Sequence, residues 1–220
     1  MLDMKAFTFR SAELRRLARG HLHLSEPGEA QDFSLPARRS DDDLNRHLPP
    51  TFEASNPRPA AVLVGLVDHA EGLTMLLTLR TEHLPSHAGQ VAFPGGKIDA
   101  GDADAVAAAL REAREETGLD AAFVEPIGFL DVYQTRTGFR VVPVVALIRP
   151  GFTLEPHAGE VDAVFEVPLA FLMDPANHVQ ESREWQGATR HFYAMPYGDR
   201  YIWGATAGMI RNLYDLVYAS

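Results

Sequence analysis

The stretch FPGGKIDAGDADAVAAALREAREETGL, residues 93–119, decides how this chain is read. It opens on Phe93-Pro94-Gly95-Gly96-Lys97, where two residues without Cβ atoms let bare backbone leave a strand and approach a ligand or a helix closely. It continues into a helix, Asp104 to Thr117. Alanines fill the first half of that helix, Asp102 and Asp104 suit its N-terminal end, and Gly118 sits where a left-handed C-terminal cap belongs. On it Glu112, Glu115 and Glu116 stand at i, i+3 and i+4, so their side chains leave nearly one face. Like charges so placed cost roughly a few tenths of a kcal/mol per pair on an isolated helix. Two arrangements relieve that cost: a solvated face whose acids pair with Arg111 and Arg114, or a divalent cation, for which an oxygen-only donor set suits Mg²⁺ or Mn²⁺. The glycine-tight exit just before the helix favours a site. It is neither the phosphate loop ending in Gly-Lys-Ser/Thr nor the Gly-x-Gly-x-x-Gly dinucleotide fingerprint.

Working outward, Ala60 to Val67 and Leu73 to Leu79 are continuous apolar runs around Asp68 to Gly72, the pattern of a β-hairpin, and Gln90 to Phe93 reads as a third, short strand. Beyond the helix, Val124 to Val132 and Phe139 to Ile148 read as strands joined near Thr137-Gly138. Val161 to Val167 is a shorter strand followed by a helical turn, Pro168 to Met173. Arg190 to Tyr197 pairs with Tyr201-Ile202-Trp203 about Gly198-Asp199, and a helix from Thr206 to Tyr218 closes the chain. Strands on both sides of one central helix predict an α/β (α+β) fold with a mixed sheet sandwiched between helices. Residues 1–58 are expected to form an N-terminal extension packing on a main domain at 59–220. The extension holds a helix, Ser11 to His21, with Ser11 as its N-cap, then a Pro-punctuated polar stretch with one short helix near Asp41 to His47.

The 220 residues are 46% hydrophobic and 23% charged, which excludes wholesale disorder. A net charge of −10 weighs against a nonspecific nucleic-acid binder or a polybasic membrane-surface protein, since both need excess positive charge. The absence of cysteine excludes disulfide scaffolds, thiolate zinc sites and cysteine nucleophiles. No run approaches the roughly 20 apolar residues of a spanning helix. The first residues, with Asp3 and Lys5, lack the apolar core of a secretory signal. The expectation is a soluble cytoplasmic protein with no nucleic-acid or membrane partner. His83 and His87 sit four apart without a third ligand and are read as loop packing, and Ser86 has no nucleophile elbow around it. Trp185, Tyr193, Tyr197, Tyr201 and Trp203 are read as core, with an adenine-stacking or dimer surface as the alternative.

Gly96 through Leu119 resembles the Nudix box, the signature of hydrolases that cleave a nucleoside diphosphate linked to another moiety. The second half of the pattern matches completely, from Arg111-Glu112 through Glu115-Glu116 to Gly118-Leu119. In the first half Asp102 stands in the place of a glutamate, and one extra residue separates it from Arg111. These departures, with Leu76-Leu77-Thr78-Leu79-Arg80, Leu84, His87, Gly89-Gln90 and Phe93-Pro94-Gly95-Gly96, resemble the coenzyme A pyrophosphatase subgroup. So do Gly159-Glu160-Val161 and the Ile202-Trp203-Gly204-Ala205-Thr206-Ala207 run.

The resemblance implies the Nudix fold and metal-dependent hydrolysis of a phosphoanhydride. Glu112 and Glu116 would be direct ligands of Mg²⁺ or Mn²⁺, Glu115 a third ligand or one bound through water, and Glu160 a fourth ligand or the general base, a role open also to a helix glutamate. Arg111 would orient the glutamates. Arg80 and Lys97 could meet phosphates, although a strand-end salt bridge also accounts for Arg80. Gln90 would fix its loop or contact substrate, with Gly95 and Gly96 beside it. Coenzyme A would be cut into 3',5'-ADP and 4'-phosphopantetheine. ADP-ribose or a sugar nucleotide is the runner-up substrate, and a non-catalytic nucleotide sensor the reading of another class. The resemblance also suggests a homodimer.

Overall fold

The structure, a computed structural model, describes residues 7–49, 57–83, 87–185 and 187–219. Asp3, Lys5, Pro50, Leu84 and Ser86 lie outside the described residues.

The central strand β2 (Arg58–His69) and its parallel neighbour β8 (Phe139–Ile148) are almost wholly buried. Both faces are covered, which is why their sequences read as unbroken apolar runs rather than alternating ones. Ala60, Val64 and Leu66 point to one core, while Ala61, Leu63 and Val67 point to the other. β3 (Gly72–Arg80) folds back on β2 through the expected hairpin. It carries β4 (Val91–Ala92) and β9 (Val161–Pro168) as antiparallel partners. β5 (Gly95–Lys97) lies antiparallel on the start of β2, β6 (Val124–Phe129) lines β8, and β7 (Tyr133–Gln134) joins β8 to β1 (Arg39–Ser40). The mixed sheet so formed lies between α2 (Ala105–Thr117) on one face and α1 (Ser11–His21), α3 (Leu169–Leu172) and α4 (Gly204–Val217) on the other. A second, antiparallel sheet is made of β10 (Val179–Trp185), β11 (Ala188–Tyr197) and β12 (Arg200–Trp203). Among the described residues no helix is long and apolar enough to cross a membrane.

Helix α2 can lie close on the sheet because the residues it buries there, Ala105, Ala108, Ala109 and Ala113, are small. Asp104 caps it by accepting from the Ala107 N–H at 2.8 Å, and Gly118 ends it with φ 75°. On the other face Leu14, Leu17, Ala18 and Leu22 share one apolar cluster with Leu213 and Val217 of α4 and with β2.

Several local expectations are corrected. Arg10, not Ser11, is the N-cap of α1, because Phe9 turns with φ 49° and the Glu13 carboxylate accepts the Thr8 and Phe9 N–H groups. Asp41 to His47 forms turns rather than a helix, since its polar side chains bond elsewhere: Asn45 accepts from the His191 N–H at 2.8 Å and donates to the His191 carbonyl at 2.9 Å. The strand expected over Val124 to Val132 stops at Phe129, after a register shift between Pro126 and Gly128. β10 was not foreseen, because its polar residues are exposed on an edge strand and show no apolar alternation. Trp185 and Tyr201, read as core, are 42% and 40% exposed.

Leu14 is 1% exposed in the middle of the shared cluster. Leu14→Ala is expected to lower unfolding free energy by about 2–5 kcal/mol in urea titration, the cost of lost burial plus a residual cavity. A change under about 0.5 kcal/mol would show that α1 is dispensable to the core.

Candidate active site

Local rules place the acidic residues, and one clamp orients them. Arg111, at the middle of α2, donates from Nε and Nη2 to the two oxygens of Asp102, each at 2.9 Å. The same guanidinium reaches the Lys97 carbonyl at 3.0 Å, Glu112 Oε1 at 2.9 Å and Glu115 Oε2 at 3.1 Å. The pairing holds the Asp102 carboxyl down at about 2. The residue in the first glutamate's place is thus a tether for Arg111, and Arg111 ties the β5–α2 loop to the glutamate face.

One turn on, Glu116 is buried at 4% exposure. Its Oε2 accepts the Gly95 N–H at 3.2 Å, and its Oε1 lies 3.6 Å from Arg80 Nη1. Burial pushes its pKa up to about 7, against the pull of the Gly95 N–H and Arg80, and the charges of Glu112 and Glu160 push the same way. Burial also raises Glu112. Gly95 is required by contact, since a Cβ there would stand 2.4 Å from the Ala61 carbonyl oxygen, while a Cβ on Gly96 would stand 2.5 Å from Glu112 Oε1 and displace that carboxylate.

These groups meet in one cleft of about 450 Å³. Glu112, Glu116 and Glu160 line it together with Arg80, Gln90, Gly95, Gly96 and Lys97. Glu115 does not: its side chain is 60% exposed and paired to Arg111. Arg111 is likewise absent from the cleft lining. Gln90 Oε1 lies 2.9 Å from His87 Nδ1, and both residues line the cleft just before β4. His83 is an exposed turn residue. Trp203, Gly204, Ala205 and Thr206, from the run singled out in the sequence, also line the cleft, while Thr135, Arg136, Thr137 and Met209 were not expected there.

The carboxylates fit a hard divalent cation. The donor set is all oxygen, and a bound cation would offset both the burial that raises Glu116 and the lesser repulsion from Glu112 and Glu160. Among the described residues they form no closed cage, since Glu112 is turned to Arg111 and Glu116 to Gly95 and Arg80.

The raised Glu116 has a signed consequence for metal-free protein. Its folded pKa, about 7, exceeds the ordinary 4.5, so the folded state holds the extra proton between those values. Its contribution to stability is best below 4.5 and declines as pH rises to about 7. In chelator, Glu116→Gln is therefore expected to stabilise the fold at pH 8 by about 2–3 kcal/mol, and to have little effect near pH 4.5. Equal melting temperatures of variant and wild type at pH 8 would contradict this.

The family model of the NUDIX domain matches residues 56–186. The chain is 43% identical over 161 residues to the uncharacterized Nudix hydrolase NudL of Escherichia coli K12, covering 73% of this chain and 83% of the relative. It is 42% identical over 163 residues to NudL of Salmonella paratyphi B, covering 74% and 84%. Among solved structures it is similar to DR0079 of Deinococcus radiodurans, with 14% identity, a TM-score of 0.47 and coverage of 74% of this chain and 88% of that one. The family match over more than half of the chain and the identity to NudL carry the assignment: this chain belongs to the Nudix family of hydrolases, enzymes that act on pyrophosphate bonds.

Proposed function

We propose that the enzyme hydrolyses the pyrophosphate bond of coenzyme A or a derivative, releasing 3',5'-ADP and 4'-phosphopantetheine or its acyl form. The observation that carries this reading is the meeting, in one cleft, of the helix carboxylates with Arg80, Gln90 and Gly95 from the upstream element that resembles the coenzyme A subgroup. Arg80 lines the cleft with its Nη1 3.6 Å from Glu116 Oε1, beyond a good hydrogen bond. Its guanidinium fits a phosphate oxygen, with Lys97 on the same cleft as a point charge.

Glu112 and Glu116 would hold Mg²⁺ or Mn²⁺. Such a cation, when bound, neutralises the charge of the anhydride and lowers the pKa of a coordinated water. The chain's own groups do the rest. Arg111 keeps Glu112 aimed by hydrogen bonding, and Gly95 and Arg80 fix the Glu116 carboxylate. Glu160 is assigned as the general base, because it lines the cleft from the solvent side while the helix carboxylates are engaged by fixed donors.

Chromatography of products formed from coenzyme A with Mg²⁺, Mn²⁺ or chelator tests the reading. Metal-dependent release of 3',5'-ADP is expected. Glu160→Gln should lower turnover by about 10²–10⁴-fold with an unchanged circular dichroism spectrum. Cleavage of ADP-ribose but not coenzyme A would overturn the substrate while leaving the family chemistry in place. Binding of nucleotide without cleavage of either would point to a sensor.

A further inference from the structure

A second hollow, of about 150 Å³, adjoins the catalytic cleft, and Asp41, Arg136 and Gly204 line both. Four arginines, Arg39, Arg46, Arg136 and Arg211, face it against Asp41 and Asp43, in a chain whose net charge is −10. Two of them are engaged. Arg39 donates to Asp215 at 3.0 Å and Arg211 to the same carboxylate at 2.8 Å. The other two keep donors to spare, since Arg46 lies 3.7 Å from Asp43 and Arg136 lies 3.8 Å from Asp41, both beyond a good hydrogen bond. Asp41 is committed elsewhere, accepting from the Tyr133 hydroxyl at 3.1 Å and from the Arg136 backbone N–H at 2.8 Å. Arg136 also lies over the Trp185 ring, 5.6 Å from its centroid.

The origin of these walls matters. Apart from Tyr133 and Arg136, every lining residue lies outside the 56–186 span that matches the NUDIX family. One wall is the 39–46 segment, pinned to β11 by the paired Asn45–His191 bonds and by Arg190, which donates to Asp42 at 3.2 Å. The opposite wall is β11 with the start of α4. The family's catalytic core is thus flanked by a basic recess that this chain builds from its own flanking segments.

We propose that the recess is a subsite for a second phosphate, a phosphomonoester borne by the nucleotide away from the anhydride that is cut, with Arg46 and Arg136 as its donors. A guanidinium fork matches two phosphate oxygens at once. The inference rests on the proposed substrate in that the 3'-phosphate of coenzyme A is the group it would take; ADP-ribose has none. Residues 39–46 are then a specificity element of the site.

Calorimetric titration of the full chain with 3',5'-ADP and with 5'-AMP, in Mg²⁺ at low salt, tests it independently of turnover. Wild type is expected to bind the bisphosphate about tenfold more tightly than the monophosphate. Arg46 is 78% exposed, so its replacement spares the fold. Arg46→Ala should bring the ratio of affinities below about threefold, and Arg46→Glu lower still. A structural defect would weaken both ligands alike and leave the ratio as it was. A wild-type ratio near one, or a ratio that neither variant moves, would overturn the subsite. If coenzyme A is not cut but the arginine-dependent ratio persists, the substrate assignment fails and the subsite stands. If coenzyme A is cut and the ratio is one, the reverse holds.

Discussion

Where β5 crosses β2 there is no space for a side chain. The Gly95 backbone is pressed to within 2.4 Å, for a notional Cβ, of the Ala61 carbonyl oxygen, and Gly96 sits equally close over the Glu112 carboxylate. That approach delivers the Gly95 N–H to Glu116 and lays the β5 ladder against the start of β2. It also brings the loop into α2, so that the Lys97 carbonyl can meet Arg111. Sheet, loop and helix are joined through this one contact. A larger residue at either position would move the carboxylates, whatever it did to the loop.

The electrostatics follow from that joint. Five acidic side chains, Asp102, Glu112, Glu115, Glu116 and Glu160, gather around one helix, in a protein whose net charge is −10. They are tolerated because they are handled in different ways. Asp102, Glu112 and the exposed Glu115 are taken by Arg111, and Glu116 is buried against Arg80 and a backbone N–H. Glu160 is left facing the cleft. Surface pairs of this kind contribute little to folding. Their value is positional, because Arg111 fixes which way the Glu112 and Glu115 carboxylates turn. Glu115 shows the difference: spacing puts it on the face, while its pairing and exposure keep it out of the cleft.

The residues before β2 belong to the same economy of space. α1 contributes apolar side chains to a cluster that also contains α4 and β2, so the two chain ends complete one face of the sheet. Between α1 and β2 the polar 39–46 segment gives up a helix of its own. Its side chains cap turns and bond β11, the β7–β8 turn and the Tyr133 hydroxyl instead. Local propensity loses here to long-range hydrogen bonds, and what results is a wall beside the cleft.

Most of the scaffold was legible along the chain. The buried strands announced themselves by continuous apolar runs, α2 by its alanines and its Gly118 cap, and the chemistry by three glutamates at helical spacing behind Gly95-Gly96. These signals are local, since a backbone period, a cap or a glycine requirement depends on neighbours within a few residues. The sequence by itself therefore determined the family, the mixed sheet between helices and the acidic face. Tertiary structure alone decided which acids share the cleft, that Asp102 serves Arg111, that β10 exists as an exposed edge, and that residues 39–46 meet β11 and α4 beside it. Apart from β10, whose backbone pairs locally with β11, each of those depends on side chains separated by anywhere from nine to more than a hundred residues, whose meeting is set by packing and leaves no period in the chain.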